Sequence, residues 1–164
     1  MLALRCTKRL LARLPPSSDN SSPEAPGALG HWYANLLQIQ GKPHVLALSE
    51  RSLLCVVLPA APYADLLARF PLALEDLLRH LSFPQTLISA ELRHYGQICV
   101  APTVSKTAIA LLNQYMLGLK ADIRWNPRNT LRQREMWLSQ YISKVLAFRA
   151  PREVALEMLA NERA

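Results

Sequence analysis

The stretch from Gly96 to Trp125, GQICVAPTVSKTAIALLNQYMLGLKADIRW, constrains the fold more than any other part of the chain. Ile98, Cys99 and Val100 form a short apolar run after a glycine, and Pro102, Thr103 and Ser105 punctuate it. Behind them Ala108, Ile109, Leu111, Leu112, Tyr115, Met116 and Leu119 recur at helical spacing. This is a buried strand feeding a long amphipathic helix. Such a unit needs partner strands to satisfy its backbone and a sheet face to pack on, and the rest of the chain has to supply both.

Three strand candidates lie close together upstream: HWYANLLQI, PHVLALS and SLLCVVLP, between His31 and Pro59. The gaps at Gln40-Gly41-Lys42 and Glu50-Arg51 carry turn chemistry and are short enough to join only antiparallel neighbours, so they predict a meander. Leu53 to Leu58 are nearly all apolar, which predicts a strand covered on both faces and placed centrally. Met1 to Thr7 reads as a first strand, with Thr7 capping a short helix over Lys8 to Leu14. Pro15 to Gly30 is rich in Pro, Ser and Gly and is expected to be a mobile internal loop.

Helical spacing returns over Ala61 to Leu81, where Pro71 predicts two short helices or a kink near Phe70. A further helix is expected from Pro84 to about Tyr95, with Gly96 as its C-terminal cap. After a loop at Trp125 to Asn129, Leu131 to Phe148 reads as one amphipathic helix, with Met136 and Trp137 widening its apolar face. Trp137 and Tyr141 are expected to face the core. Pro151 opens a short last helix. The 164 residues, 51% of them hydrophobic, suffice for one core and not two. The expected architecture is therefore a single α+β domain over 1–164. It has about five strands in a mixed sheet containing an antiparallel meander and four to six helices, with 126–164 as a helical C-terminal extension.

No apolar run approaches the roughly 18 residues of a membrane-spanning helix. Cys6, Cys55 and Cys99 are far apart and in apolar surroundings, so buried reduced thiols and a cytoplasmic setting are expected. Familiar catalytic chemistry finds little support. His31, His44, His80 and His94 show no metal-ligand spacing, and His44 and His80 read as exposed or dipole-satisfied. Glu75 and Asp76 are neighbours on a helix, point to different faces and read as surface charges. The five glycines form no phosphate-binding motif. No metal and no cofactor are implied, and the chain leans away from being an enzyme.

Three segments in order, RCTKRLL from Arg5, GHWYANLL from Gly30 and YGQICVAPTVSKTAIALLNQY from Tyr95, together resemble an uncharacterised bacterial family defined as a domain of unknown function. Its members show an RCTKKLL-like start, a GxWxANLL strand and a YGxIxxxxTxxRSxLGSMND-like strand and helix. The resemblance spans most of the first 120 residues and implies no activity. It marks Thr7, Lys8, Trp32, Asn35, Thr103, Lys106 and Asn113 as family-motif polar positions. Lys106 stands where the family more often has arginine, and Ala110-Leu111-Leu112 replaces its small-residue turn. The first 18 residues also have the acid-free, basic composition of a mitochondrial presequence. Because the resemblance begins inside them, they are read as structure.

Charge supplies the remaining clue. Nine basic residues lie between Lys106 and Arg152 against only Asp122 and Glu135, which equals the whole net charge of +7. Lys120, Arg124, Arg128 and Arg132 recur every four residues, Arg134 adds to them, and Trp125 is interleaved. This basic C-terminal half predicts a nucleic-acid-contacting accessory or regulatory module. Pro127 breaks the register, so the four cations are not expected to share one continuous stripe. Thr103, Ser105 and Lys106 at a helix start offer either anion binding or plain capping. The alternative is a protein-interaction or homodimerising module without enzymatic activity, docking through the amphipathic C-terminal helices.

Overall fold

The structure, a computed structural model, describes residues 1–16 and 27–162. It is an α+β fold: among the described residues, one mixed sheet of five strands with six helices. The strands are β1 (Leu2–Cys6), β2 (Trp32–Ile39), β3 (Lys42–Ser49), β4 (Cys55–Pro59) and β5 (Ile98–Pro102), in the order β4-β3-β2-β1-β5. β2, β3 and β4 form the antiparallel meander. Gln40 and Gly41 turn between β2 and β3, both at positive φ, the backbone state that a two-residue hairpin requires. β1 is parallel to both β2 and β5. The strand with which the chain begins thus lies inside the sheet.

Alternation along the strands divides the core in two. Leu2, Leu4, Cys6, Trp32, Ala34, Val56 and Leu58 face one cluster, with side chains from α1 (Lys8–Leu11), α2 (Leu66–His80), α3 (Gln85–Leu92) and α6 (Pro151–Asn161). Tyr33, Leu37, Leu46, Cys55 and Val57 face the other, with side chains from α4 (Lys106–Trp125) and α5 (Leu131–Leu138). The period-2 pattern therefore decides which helix lies on which face. Among the described residues no helix is long and apolar enough to cross a membrane.

Several expectations are corrected. β4 is an edge strand, not a central one. Its continuous apolar run reflects cover on both faces, and burial of faces does not reveal whether a second strand lies alongside. α2 runs through Pro71 as one helix. Phe70 and Leu74, buried on either side of the proline, hold the turn against the core in spite of a cost of roughly 3 kcal/mol. Gly96 has φ −66°, so it is not a left-handed cap. Thr7 precedes α1 without capping it, since its hydroxyl is engaged elsewhere. Of the expected loop at 15–30, residues 17–26 lie outside the described residues. Ala28 and Leu29, near the end of that stretch, are buried.

The expected helix from Leu131 to Phe148 ends at Leu138. Ser139 is buried, its hydroxyl donates to the Met136 carbonyl at 2.6 Å, and its own carbonyl accepts the Arg152 amide. A small hairpin follows, bridged between Ser143 and Arg149 and containing a 3-10 turn at Lys144–Leu146. Ala147 and Phe148 both take positive φ there, which stops any helix.

Candidate functional site

Two groups of sequence-marked residues are brought together, one at the start of α4 and one along its outer stripe, with Lys106 shared between them. The first lies where the parallel strands end. Cys6 of β1 pairs with Pro102 of β5, so Thr7-Lys8 and Thr103 to Lys106 leave the sheet at the same edge. α1 packs on one face and α4 on the other. Neighbouring parallel strands whose following helices diverge in this way open a crevice at their carboxyl ends. Asn35 joins the group from β2: its Oδ1 accepts from the Thr7 hydroxyl at 2.7 Å and from the Leu36 amide at 2.8 Å. Ser105 caps α4 by accepting the Ala108 amide at 3.1 Å. Lys106 and Lys8 are exposed.

Trp32, another family-motif position, does not belong to this group. It is fully buried, and its Nε1 donates at 2.8 Å to the Tyr95 hydroxyl, which donates at 3.1 Å to Glu91. Glu91 also accepts the amides of Ala28 and Leu29, at 2.9 and 3.3 Å. Burial pushes its carboxyl above the usual range, while those amides pull it down. A Cβ at Gly27 would lie 2.7 Å from Glu91 Oε1, so this knot also dictates a glycine. His31 closes the same region, its Nδ1 accepting the Ala3 amide at 3.0 Å. His44, expected to be exposed, is buried in β3, where its Nδ1 lies 2.9 Å from the Lys42 carbonyl. Among the described residues no group of His, Cys, Asp or Glu is arranged to hold a metal ion.

The second group lies along and beyond α4. Lys106, Asn113, Lys120 and Arg124 are exposed and fall on one stripe of the helix, about 27 Å long at 1.5 Å per residue. Arg128, in the loop after the helix, is exposed as well. No ion pair engages Lys120, Arg124 or Arg128 among the described residues. Two expected cations are withdrawn from this surface. Arg134 is 2% exposed, and its Nε lies 3.0 Å from Asp122 Oδ2, pinning α5 to the end of α4. Arg132 points to the opposite side of α5, bonded to Asp76 and 3.1 Å from Glu135.

Between α4 and α5 lies a groove that sequence reasoning missed. A cavity of about 470 Å³ is lined by Gly118, Ala121, Trp125, Asn126, Trp137 and Tyr141, among others. A smaller one of about 250 Å³ continues from it past Leu117. Trp125 is 75% exposed, with the Arg124 guanidinium 5.5 Å from its ring centre. Trp137 and Tyr141, expected in the core, are 45% and 40% exposed and meet edge to face at 5.9 Å. Tyr141 meets Tyr115 in the same way at 5.9 Å. The sequence signal was present, in aromatics beside cations. A continuous helix over Leu131 to Phe148 turns Trp137 and Tyr141 inwards, whereas α5 ends at Leu138 and leaves both half-exposed.

On the far side of α5, Glu135 is 3% exposed and accepts the Val57 amide at 2.9 Å. Burial pushes its carboxyl up to about 7, while the Val57 amide and Arg132 pull it down and Asp76 pushes it up. This is an edge-strand cap, and it sits apart from both groups above.

Fold and surface together define an α+β protein with helices on both faces of a mixed sheet and a stripe of exposed cations on its longest helix. The chain belongs to a family known as a domain of unknown function (DUF6933), whose family model matches residues 3–154. That match runs from β1 into the first turn of α6. No curated protein matches the chain.

Proposed function

We propose that this protein is a nucleic-acid-contacting accessory or regulatory module, acting as one α+β domain through the outer stripe of α4 and the loop that follows it. The observation that carries this reading is the charge pattern of the stripe: Lys106, Lys120 and Arg124 are exposed, Arg128 extends them, and the one acid of the helix, Asp122, is turned away into its pair with Arg134. A row of uncompensated cations at helical spacing suits the repeat of a phosphate backbone. Thr103, Ser105 and Lys106 at the start of the same helix supply a second anion contact, where free amides and the helix dipole favour negative charge. Arg132 and Arg134 have no part in it, since acids of the protein already hold them. A cytoplasmic setting belongs to the same reading, and the three free, buried cysteines support it.

Retention on heparin tests the proposal. The protein is expected to elute at progressively lower salt as Lys120, Arg124 and Arg128 are reversed to Glu, with its melting temperature unchanged. Retention that ignores all three substitutions would sink the reading.

A second reading, docking of another protein or of a second copy, draws on the hairpin after α5. Ile142, Val145 and Phe148 are 61%, 60% and 70% exposed, an unusual concentration of large apolar side chains. A mass that rises with concentration in light scattering, and that returns to the monomer value in Phe148→Ser, would favour it.

A further inference from the structure

We infer that the groove between α4 and α5 accepts an unpaired nucleobase, so that the protein selects single-stranded over double-stranded nucleic acid. The inference rests on the nucleic-acid reading above and assigns a part to residues that reading leaves unused.

Three features of the groove point to a base rather than to an apolar peptide. Its lining is rich in aromatics: Trp125 from the end of α4, Trp137 from α5 and Tyr141 from the residues after it. Planar π faces take up a base of any identity, while exposed aliphatic side chains stack poorly. The Arg124 guanidinium, 5.5 Å from the Trp125 ring centre, brings a positive charge to the same ring, close to where the phosphate of a stacked nucleotide would lie. Finally, the mouth presents hydrogen-bond acceptors. Asp122 Oδ1 takes the side-chain N–H groups of Asn126 and Asn129, at 3.0 and 3.3 Å. A carboxylate only accepts, which fixes both amides with their nitrogens towards it. Their carbonyl oxygens have no other partner among the described residues and suit the N–H groups on the edge of a base.

Duplex nucleic acid does not present this chemistry. Its bases are stacked on one another and its outer surface is phosphate, so it meets Lys120, Arg124 and Arg128 and leaves the groove empty. A single strand meets the cations and inserts a base as well. The size fits: about 470 Å³ lies within the range of roughly 300–1,000 Å³ common for small-molecule pockets. Gly118 also lines the groove, and a Cβ there would lie in ordinary contact with Trp137 at 3.7 Å.

Fluorescence anisotropy with a short labelled oligonucleotide of mixed sequence tests the inference, comparing the single strand with the same strand annealed to its complement. At low salt the single strand is expected to bind about tenfold more tightly, the effect of one stacked base. Its addition is also expected to quench tryptophan emission, which the duplex leaves unchanged. Trp125→Ala removes one of these aromatics, and Ala121→Leu fills the groove from an exposed position with little change in helix preference. Both are expected to lower single-strand affinity to the duplex level without altering duplex binding. Equal affinities in the natural protein, or a preference that survives both substitutions, would refute the groove inference and leave the nucleic-acid reading standing. Binding of neither oligonucleotide would remove both.

Discussion

Glu135 is a carboxyl side chain placed where a strand would otherwise continue the sheet. Its Oε2 accepts the Val57 amide and its Oε1 lies 3.1 Å from Arg132, itself bonded to Asp76. Burial raises its carboxyl from 4.5 to about 7, so between those values the folded protein holds a proton that the unfolded chain has released. Stability contributed by this group is thus fully present below pH 4.5 and is lost as the pH rises through about 7. At 1.36 kcal/mol per unit, the loss is about 3 kcal/mol. Urea unfolding at pH 5 and pH 8 is expected to show most of that fall, and Glu135→Gln is expected to flatten it. An unchanged slope in the variant would mean that another group is responsible. Glu91 gives a prediction of the opposite kind. Both of its oxygens accept N–H groups, so Glu91→Gln turns a donor against a donor and is expected to cost about 1–3 kcal/mol in the same assay. Neither carboxylate was legible as a buried cap in the sequence. Each stands on a helix where a solvated acid would look the same, and the amides it satisfies are 78 and 63 positions away.

At the scale of elements, the periodic segments were readable and their ends were not. The meander, the long helix and its strand follow from local spacing, because alternation and helical period are properties of neighbouring residues. The position of β4 at the edge is not local. It depends on β1 entering between β2 and β5, a choice made by residues far apart in sequence. The edge is protected by devices that only the fold displays. Val57 gives its amide to Glu135, Pro59 has no amide to offer, and the Pro59 carbonyl accepts from Arg69 Nη1 at 2.7 Å. Arg69 also bonds the carbonyls of Ala60 and Pro62 and pairs with Asp65, tying the exit of β4 to the start of α2. Arg69→Ala is expected to lower stability by about 1–3 kcal/mol. It also frees part of the edge, so light scattering on mild heating should show association that the natural protein lacks. A variant as stable and as monodisperse as the parent would show that the edge needs no such cover. The end of α5 was missed for a related reason. Tyr141, Ile142 and Val145 keep helical spacing, yet the buried Ser139 and the positive φ of Ala147 and Phe148 turn the chain into a hairpin.

For the whole molecule, the sequence placed the excess charge correctly along the chain but did not show how the fold divides it. Arg132, Arg134 and Arg149 are held by Asp76, Asp122 and Glu157, while Arg152 donates to the Leu81 carbonyl. Lys120, Arg124 and Arg128 are exposed and, among the described residues, in no ion pair. Counterion release makes this division measurable. If those three cations each neutralise one phosphate of a single strand, the logarithm of the affinity should fall with the logarithm of salt concentration at a slope of about −2, since each contact contributes about −0.7. Removing any one of them, as in Arg128→Ala, is expected to reduce the slope by about 0.7 and to leave unfolding unaffected. Arg134→Ala should do the reverse. It leaves the slope alone and lowers stability, because Asp122 stays 8% exposed with no cation beside it. A slope that responds to Arg134 and ignores Arg128 would mean that the partition of charge read from the fold is wrong, whatever the ligand proves to be.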